Sequence, residues 1–398
     1  MFTIHFYVLC GVLLVLVGAG VWEYASLCLA RRHIPIRIHV NGTRGKSSVT
    51  RLIAAALREA GVPTFAKTTG TLPRMILLDG SELPVVRLSK ANIIEQQRVM
   101  RMAAGAGARA LVVECMALQP LLQSVSELKI VRSTHTVITN ARPDHLDVMG
   151  PGPRDVALAL SGMICVNGQV FTAEREHLDV LRVATEDRGS RLIPTTDEQI
   201  GAVSASDLAS FRYTEHAENI ALALNVCASL GIDRDVALRG MHKASPDPGA
   251  MTAHRLEYFG RRILFYNGFA ANDPVSTGRL WRLALEQSPN YETKIAVFNC
   301  RSDRGDRSAQ LAEALVEWPP PDWVVLMGTG TQIFARFAVR EGLDPARLVF
   351  VEGLRVDEIF ERLLELSGTS AMIMGMGNIG GQGLDVARLF KNRQLLAA

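Results

Sequence analysis

The chain opens on an apolar run unlike anything that follows it. From Phe6 to Trp22 seventeen residues carry no charge, flanked by His5 and Glu23 and extended by the apolar stretch from Tyr24 to Ala30. That length just spans the hydrocarbon of a bilayer. No polar face recurs at helical spacing, which argues against a buried core helix. Nothing before Phe6 is Lys or Arg, which argues against a cleavable signal peptide. Residues 1–30 are therefore expected to form a transmembrane anchor. Arg31, Arg32 and Arg37 crowd its C-terminal flank. By the positive-inside rule the rest of the chain lies in the cytoplasm, making this a single-pass protein of the cell (inner) membrane.

Beyond the anchor the pattern changes to short β-rich runs alternating with helical segments. Ile36 to Val40, Ala110 to Glu114 and Thr136 to Asn140 read as strands of a mostly parallel α/β sheet. The stretch from Lys243 to Met251, with Pro246, Pro248 and Gly249, breaks the alternation. A second set follows it, with strands expected at Ile263–Tyr266, Lys294–Phe298, Trp323–Met327, Leu348–Val351 and Ala371–Met374. The expected organisation is an anchor (1–30), a central domain around a phosphate loop (31–245) and a smaller Rossmann-like domain (246–398).

Composition narrows the partners. With 398 residues the chain exceeds what one hydrophobic core serves. Its 43 basic and 40 acidic residues are interspersed, for a net charge of +3, so nucleic acid is not an expected partner. The six cysteines form no C-x-x-C pair, which points to reduced thiols and no structural zinc. Cys115 reads as a small buried residue, not a nucleophile.

The strongest chemical signal is Gly42-Thr43-Arg44-Gly45-Lys46-Ser47-Ser48, which follows an apolar strand and opens a helix whose face is Val49, Leu52, Ile53, Ala56 and Leu57. Glycines let backbone N–H groups approach phosphate oxygens, and the helix N-terminus adds a favourable dipole. Lys46 supplies a point charge, and the Ser47 hydroxyl reaches Mg²⁺. A full Walker loop needs a glycine five residues before Gly45, where this chain has Val40, so the loop is the shortened form G-T-x-G-K-[ST]. It predicts a bound nucleoside triphosphate, in practice ATP. The loop begins about a dozen residues after Ala30, which puts it near the membrane in sequence. Glu114 ends a strand, placing a carboxylate at the sheet edge where such ligands bind and where it can hold Mg²⁺. Asn140-Ala141-Arg142-Pro143-Asp144-His145-Leu146-Asp147 gathers further ligands just past another strand, and His145 between two carboxylates is a candidate for a second divalent ion.

Together these motifs, in this order, resemble the ATP-dependent amide ligases of the Mur ligase superfamily. More narrowly, A-N-I-I-E-Q-Q from Ala91, V-V-E-C-M-A-L-Q-P from Val112, V-I-T-N-A-R-P-D-H-L-D-V-M-G from Val137, N-G-F-A-A-N-D-P from Asn267 and G-M-G-N-I-G-G-Q-G from Gly375 resemble the poly-γ-glutamate synthase ligase subunits of capsule biosynthesis. The resemblance implies that Lys46 holds the β and γ phosphates, Ser47 and Glu114 the first magnesium, and His145 the second. It implies that Asn219, in H-A-E-N-I-A-L-A-L, contacts adenine and that Arg255, in H-R-L-E, approaches the phosphates. Asn267 falls where many Mur ligases carry a ribose-binding aspartate, with Asp273 as a nearby substitute. Two departures matter. Only the anchor and a short connector precede the loop, so a UDP-sugar peptide is not the expected acceptor. No lysine occurs between Lys129 and Lys243, so the carbamylated lysine of many relatives has no usual place here.

The implied chemistry is phosphorylation of a carboxyl group by ATP, followed by attack of a glutamate amine on the acyl phosphate. Arg301, Arg304 and Arg307, in R-S-D-R-G-D-R, are candidates for the glutamate carboxylates, because guanidinium binds carboxylate bidentately. The glycines from Gly375 to Gly383 are a weaker candidate loop for phosphate or substrate. Expected partners are glutamate, the growing poly-γ-glutamate chain and small hydrophobic companion subunits in the membrane; a homo-oligomer is left open. Two alternatives stand beside γ-glutamyl ligation: a folylpolyglutamate-type ligase, and a non-catalytic nucleotide-binding assembly subunit.

Overall fold

The computed structural model describes residues 2–70, 73–85, 87, 91–211, 213–246, 251–271 and 273–394, with side chains from residue 5 onward. Pro248 and Gly249 of the boundary stretch, and Asn272 of the motif from Asn267, lie outside the described residues. The chain divides into two compact units, Met1–Asp247 and Pro248–Ala398. Each is an α/β unit built on its own mostly parallel sheet.

The first unit begins with α1 (Phe2–His33), one unbroken helix of 32 residues. The segment His5–His33 is long and apolar enough to cross a membrane, with a mean hydropathy of 2.0 over its best window and none of that window buried. The helix does not stop at residue 30, and its last turns are not lipid-like surroundings. Leu27 and Ala30, with the following Ile34, are buried among Phe65, Val99, Met100, Ala103, Ile130 and Val131. Leu27 and Ala30, inside the expected anchor, are apolar because they pack in the core of this unit. Hydropathy scores lipid and protein interior alike, and only packing separates them.

Eight strands follow: β1 (Ile36–Asn41), β2 (Thr64–Lys67), β3 (Arg74–Ile76), β4 (Glu82–Pro84), β5 (Ala110–Glu114), β6 (His135–Ile138), β7 (Gln169–Thr172) and β8 (Arg191–Pro194). Their order in the sheet is β4-β3-β2-β5-β1-β6-β7-β8. All pairings from β2 to β8 are parallel, and β3 and β4 form an antiparallel edge. Every residue of β5 and β6 is buried, the signature of parallel strands covered on both faces. Between β1 and β2 runs α2 (Lys46–Glu59), whose predicted apolar face is fully buried. Before β5 comes α3 (Glu95–Gly105), against which the end of α1 packs. Thr139 and Asn140, expected within the third strand, lie past the end of β6, where their side chains are committed to the phosphate loop.

The second unit has six strands: β9 (Thr252–Tyr258), β10 (Arg261–Asn267), β11 (Thr293–Cys300), β12 (Trp323–Gly328), β13 (Leu348–Phe350) and β14 (Ser370–Met376). Their order is β13-β12-β11-β14-β10-β9, with β9 antiparallel at one edge. The alternation of buried and exposed residues in β9 follows from its edge position, where only one face meets the core. Phe265, Phe360 and Phe390 fill one face of the sheet, and Trp281, Phe298 and Phe334 fill the other.

Candidate active site

The parallel order β5-β1-β6 brings three strand C-termini together at one edge. From β1 the chain crosses over β5 to β2, whereas from β6 it runs outward to β7. Adjacent strands thus lead away in opposite directions, leaving a crevice at their C-terminal ends. Residues 42–48 leave β1 at this crevice. Their shape is held from β6: the Thr43 hydroxyl donates to Asn140 Oδ1 (2.7 Å), the Arg44 amide donates to the same oxygen (3.1 Å), and Asn140 Nδ2 and Thr139 Oγ1 both donate to the Arg44 carbonyl (3.1 and 2.6 Å). The chain passes so close to β6 that Gly42, at φ 129°, has no room for a side chain; a Cβ there would lie 2.0 Å from Thr139 Oγ1. Gly45, at φ 82°, faces Asn219, whose Oδ1 would be 2.7 Å from an added Cβ. Gly42→Ala is therefore expected to weaken nucleotide binding at least tenfold and to cost about 1–3 kcal/mol of stability through backbone strain. Calorimetric nucleotide titration and urea unfolding test both.

Lys46 opens α2, and its ammonium donates to the Gly42 carbonyl (2.5 Å) and the Thr43 carbonyl (3.4 Å) of its own loop. Ser47 Oγ donates to Glu114 Oε2 (2.9 Å), which also accepts the Thr69 amide (2.8 Å). The strand-end carboxylate and the helix-start hydroxyl are thus brought together, a pairing of hard oxygen donors that suits a divalent cation keeping most of its other positions for water and phosphate. Behind it, Gln96 Nε2 donates to the Glu114 carbonyl (2.9 Å), and Lys67, fully buried, pairs with Glu95 (2.5 Å), which Arg87 holds from its other side (2.6 Å). Burial pulls the Lys67 pKa down against the contrary pull of Glu95. Sequence reasoning found A-N-I-I-E-Q-Q only through resemblance; no spacing rule announces that Gln96 supports Glu114.

A second buried constellation lies one strand position back. His39 Nδ1 contacts Glu127 Oε2 at 2.8 Å, with both side chains essentially inaccessible. Burial alone disfavours the imidazolium, but contacts with Cys115 and Glu127 outweigh it and raise the His39 pKa to about 9. Cys115 is 3% exposed, in keeping with a packing role. Neither His39 nor Glu127 was singled out from the sequence, because a lone histidine in a strand carries no local signal.

His145 starts the short helix Leu146–Met149 in a left-handed conformation, φ 49°, 3.9 Å from Asp144, which also lies 3.7 Å from Arg44. Among the described residues no three His, Cys, Asp or Glu side chains converge on one metal position, so Asp144, His145 and Asp147 form no closed cluster. Asn219 is buried near the start of the helix Ala217–Ser229 and donates to Glu215 (2.9 Å).

In the second unit, helix Gly305–Leu315 after β11 packs on the Trp281 face and helix Gln382–Asn392 after β14 on the Phe390 face, so a crevice opens between these neighbouring strands. A cavity of about 650 Å³ lies there, lined by Arg301, Thr329, Glu352, Gly380 and Gly381 among others. It joins two features that the sequence offered separately, the arginine cluster and the glycine stretch. Only one of the three arginines lines it. Arg301 pairs with Asp303 (2.6 Å), Arg307 donates to Asn378 Oδ1 (2.7 Å), and Arg304 lies outside the lining. Arg255 points outward from the exposed face of β9. Asn267 ends β10 buried, and its Oδ1 has no hydrogen-bond partner. Asp273 Oδ1 accepts the Ser276 amide (2.8 Å) and caps the helix Pro274–Gln287.

Comparison with known proteins decides the family. Residues 253–393 match the poly-gamma-glutamate synthase CapB C-terminal domain, and residues 40–154 match the Mur ligase middle domain. The chain is 37% identical to the capsule biosynthesis protein CapB of Bacillus anthracis, over 94% of this chain and 80% of that one. It is 36% identical to the PGA synthase CapB of Bacillus subtilis strain 168, over 92% and 95%. The chain belongs to the CapB family. Its fold is shared more widely: a bifunctional folylpolyglutamate synthase/dihydrofolate synthase of Yersinia pestis, solved with AMPPNP and a manganese ion, superposes with a TM-score of 0.69 at 16% identity, covering 92% of each chain. CapB-family membership accounts for both halves of the match. The Mur-type middle domain contains the loop, Glu114 and His145, and the CapB-specific domain contains Asn267, Arg301 and the glycine stretch.

Proposed function

We propose that this chain is the ATP-dependent ligase that builds poly-γ-glutamate, joining a γ-carboxyl group to a glutamate amine. The observation that carries the chemical reading is the 2.9 Å contact between Ser47 Oγ and Glu114 Oε2 at the mouth of a glycine-bounded loop. The loop's amides and Lys46 receive the triphosphate; when ATP binds, the ammonium exchanges loop carbonyls for phosphate oxygens. Ser47 and Glu114 would hold Mg²⁺, with His145 available to a second ion, and the metal would neutralise charge on the transferring phosphoryl group. The carboxyl oxygen attacks the γ-phosphorus, ADP leaves, and the amine of the incoming glutamate then displaces phosphate from the acyl phosphate. Asn219, packed against Gly45, is assigned to the adenine side, and the motif that contains Arg255 assigns that residue to nucleotide phosphate. The orphaned Asn267 Oδ1 is assigned to a ribose hydroxyl. Arg301, at the cavity between β11 and β14, is assigned to a glutamate carboxylate.

The exposed part of α1 serves, in this reading, as a single-pass anchor with both catalytic units cytoplasmic, organised as anchor (1–30), central domain (31–245) and ligase domain (246–398), and joined by hydrophobic companion subunits. The greater identity to CapB proteins favours glutamate polymerisation over a folate acceptor. Purified full-length chain with its membrane partners should release ADP only with glutamate present, and hydroxylamine should trap a glutamyl hydroxamate. Absence of both products overturns the assignment.

A further inference from the structure

We propose that the N-terminal edge of the first sheet, together with the last turn of α1, is a seat for the phosphate headgroups of acidic phospholipids. This rests on α1 crossing the membrane. Because α1 runs unbroken to His33 and β1 starts at Ile36, the edge where β1, β5 and β6 begin is the one next to the helix exit. Basic residues collect there from separate parts of the chain: Arg31 and Arg32 from α1, Arg37 from β1, Arg109 just before β5, and Lys129 and Arg132 just before β6. They are physically contiguous. Arg37 Nη1 donates to the Arg31 carbonyl (3.2 Å) and Nε to the Arg132 carbonyl (3.0 Å), while the Ile36 amide donates to the Arg109 carbonyl (3.3 Å).

The charges of this edge lack carboxylate partners. Several other surface arginines of this unit pair with carboxylates, as Arg154 does with Asp179 (2.7 Å) and Arg175 with Asp197 (2.5 Å). None of the six edge residues forms an ion pair with a carboxylate among the described residues. Glu127, the carboxylate that acts on Arg37, is 1% exposed and already committed to His39 and to the Ser133 amide. Arg31 and Arg132 in turn repel the Arg37 charge. Arg31 is buried and bonded to Leu27 and Cys28, and Arg37 commits its guanidinium to the Arg31, Ile34 and Arg132 carbonyls, so the charges this edge offers outward are the exposed Arg32, Arg109, Lys129 and Arg132. Such a cluster of like charges next to a membrane exit is what an anionic leaflet satisfies. The docking of Leu27 and Ala30, and the hold of Arg101 on Ser26 Oγ (3.2 Å), make the helix and this edge one surface, so headgroup contacts would orient the unit instead of merely tethering it.

The test uses the full chain with its companions in nanodiscs of equal phosphatidylcholine and phosphatidylglycerol, with retained lipid counted by native mass spectrometry. The wild type should retain phosphatidylglycerol preferentially. Arg32→Gln/Lys129→Gln/Arg132→Gln, three exposed positions outside the active site, should lower that preference roughly fivefold or more while leaving the thermal midpoint unchanged. Equal retention of the two lipids by the wild type, or an undiminished preference in the triple variant, overturns the seat. Flotation with neutral phosphatidylcholine vesicles separates the two ideas: a chain that fails to float removes the membrane reading and the seat with it, whereas one that floats without headgroup preference removes only the seat.

Discussion

Lys46→Ala yields a folded chain whose glutamate-dependent ADP release falls by about 10²–10³-fold, the usual scale for deleting a preorganised charge at a reacting phosphoryl group. The side chain is half-buried and its ammonium donates to the Gly42 and Thr43 carbonyls of its own loop, so the effect of its removal is confined to that loop and the core stays intact. Stability and catalysis should therefore separate: an unchanged urea midpoint with activity lost. The same variant decides between enzyme and assembly subunit. If Lys46→Ala abolishes ATP binding while the reconstituted complex still makes polymer at the wild-type rate, the chain is a non-catalytic component.

Glu127→Gln should be the most destabilising single replacement near the site, costing about 3–5 kcal/mol, because it leaves a buried imidazolium without its counter-ion. Glu127 also accepts the Ser133 amide (2.7 Å), so the loss is felt on the approach to β6 as well. The pH dependence has a definite sign. His39 has a pKa raised from 6.5 to about 9 in the folded chain. Its stabilising contribution is complete below pH 6.5, declines as the unfolded state loses its proton first, and is gone once the pH has risen through about 9. Urea unfolding at pH 6 and pH 9 should show the wild type losing stability across this window and Glu127→Gln losing much less. Equal slopes in the two proteins would mean that His39 is not charged by Glu127.

Much of the site was visible locally. A strand, a loop with two glycines and Lys-Ser, and a helix follow one another without interruption, so residues 42–48 could be read from the sequence alone. Glu114 could be placed because a run of buried apolar residues ending in a carboxylate puts that carboxylate at a sheet edge. The second unit was less legible. Its three arginines lie within the seven residues from Arg301 to Arg307, and nothing in their spacing reveals that only Arg301 lines the cavity. Asp273 caps a helix, a role that the sequence does not separate from a ligand's because both use the same residue type. The short strands β2, β3, β4, β7 and β8 escaped notice because three or four residues carry too little periodicity to stand out.

The sequence by itself determined the apolar N-terminal helix, the α/β alternation of both units, and the loop that defines the chemistry, because each is set by neighbours within a few turns of chain. Tertiary structure alone decided which groups meet. Ser47 and Glu114 are 67 residues apart, His39 and Glu127 are 88, and Thr43 and Asn140 are 97. Those contacts depend on β5 and β6 flanking β1, an arrangement no local pattern encodes. It also set a distance: between α1 and the loop lies β1, six residues or about 20 Å of extended chain. The basic edge therefore lies toward α1, and the phosphate loop opens at the opposite end of the strand.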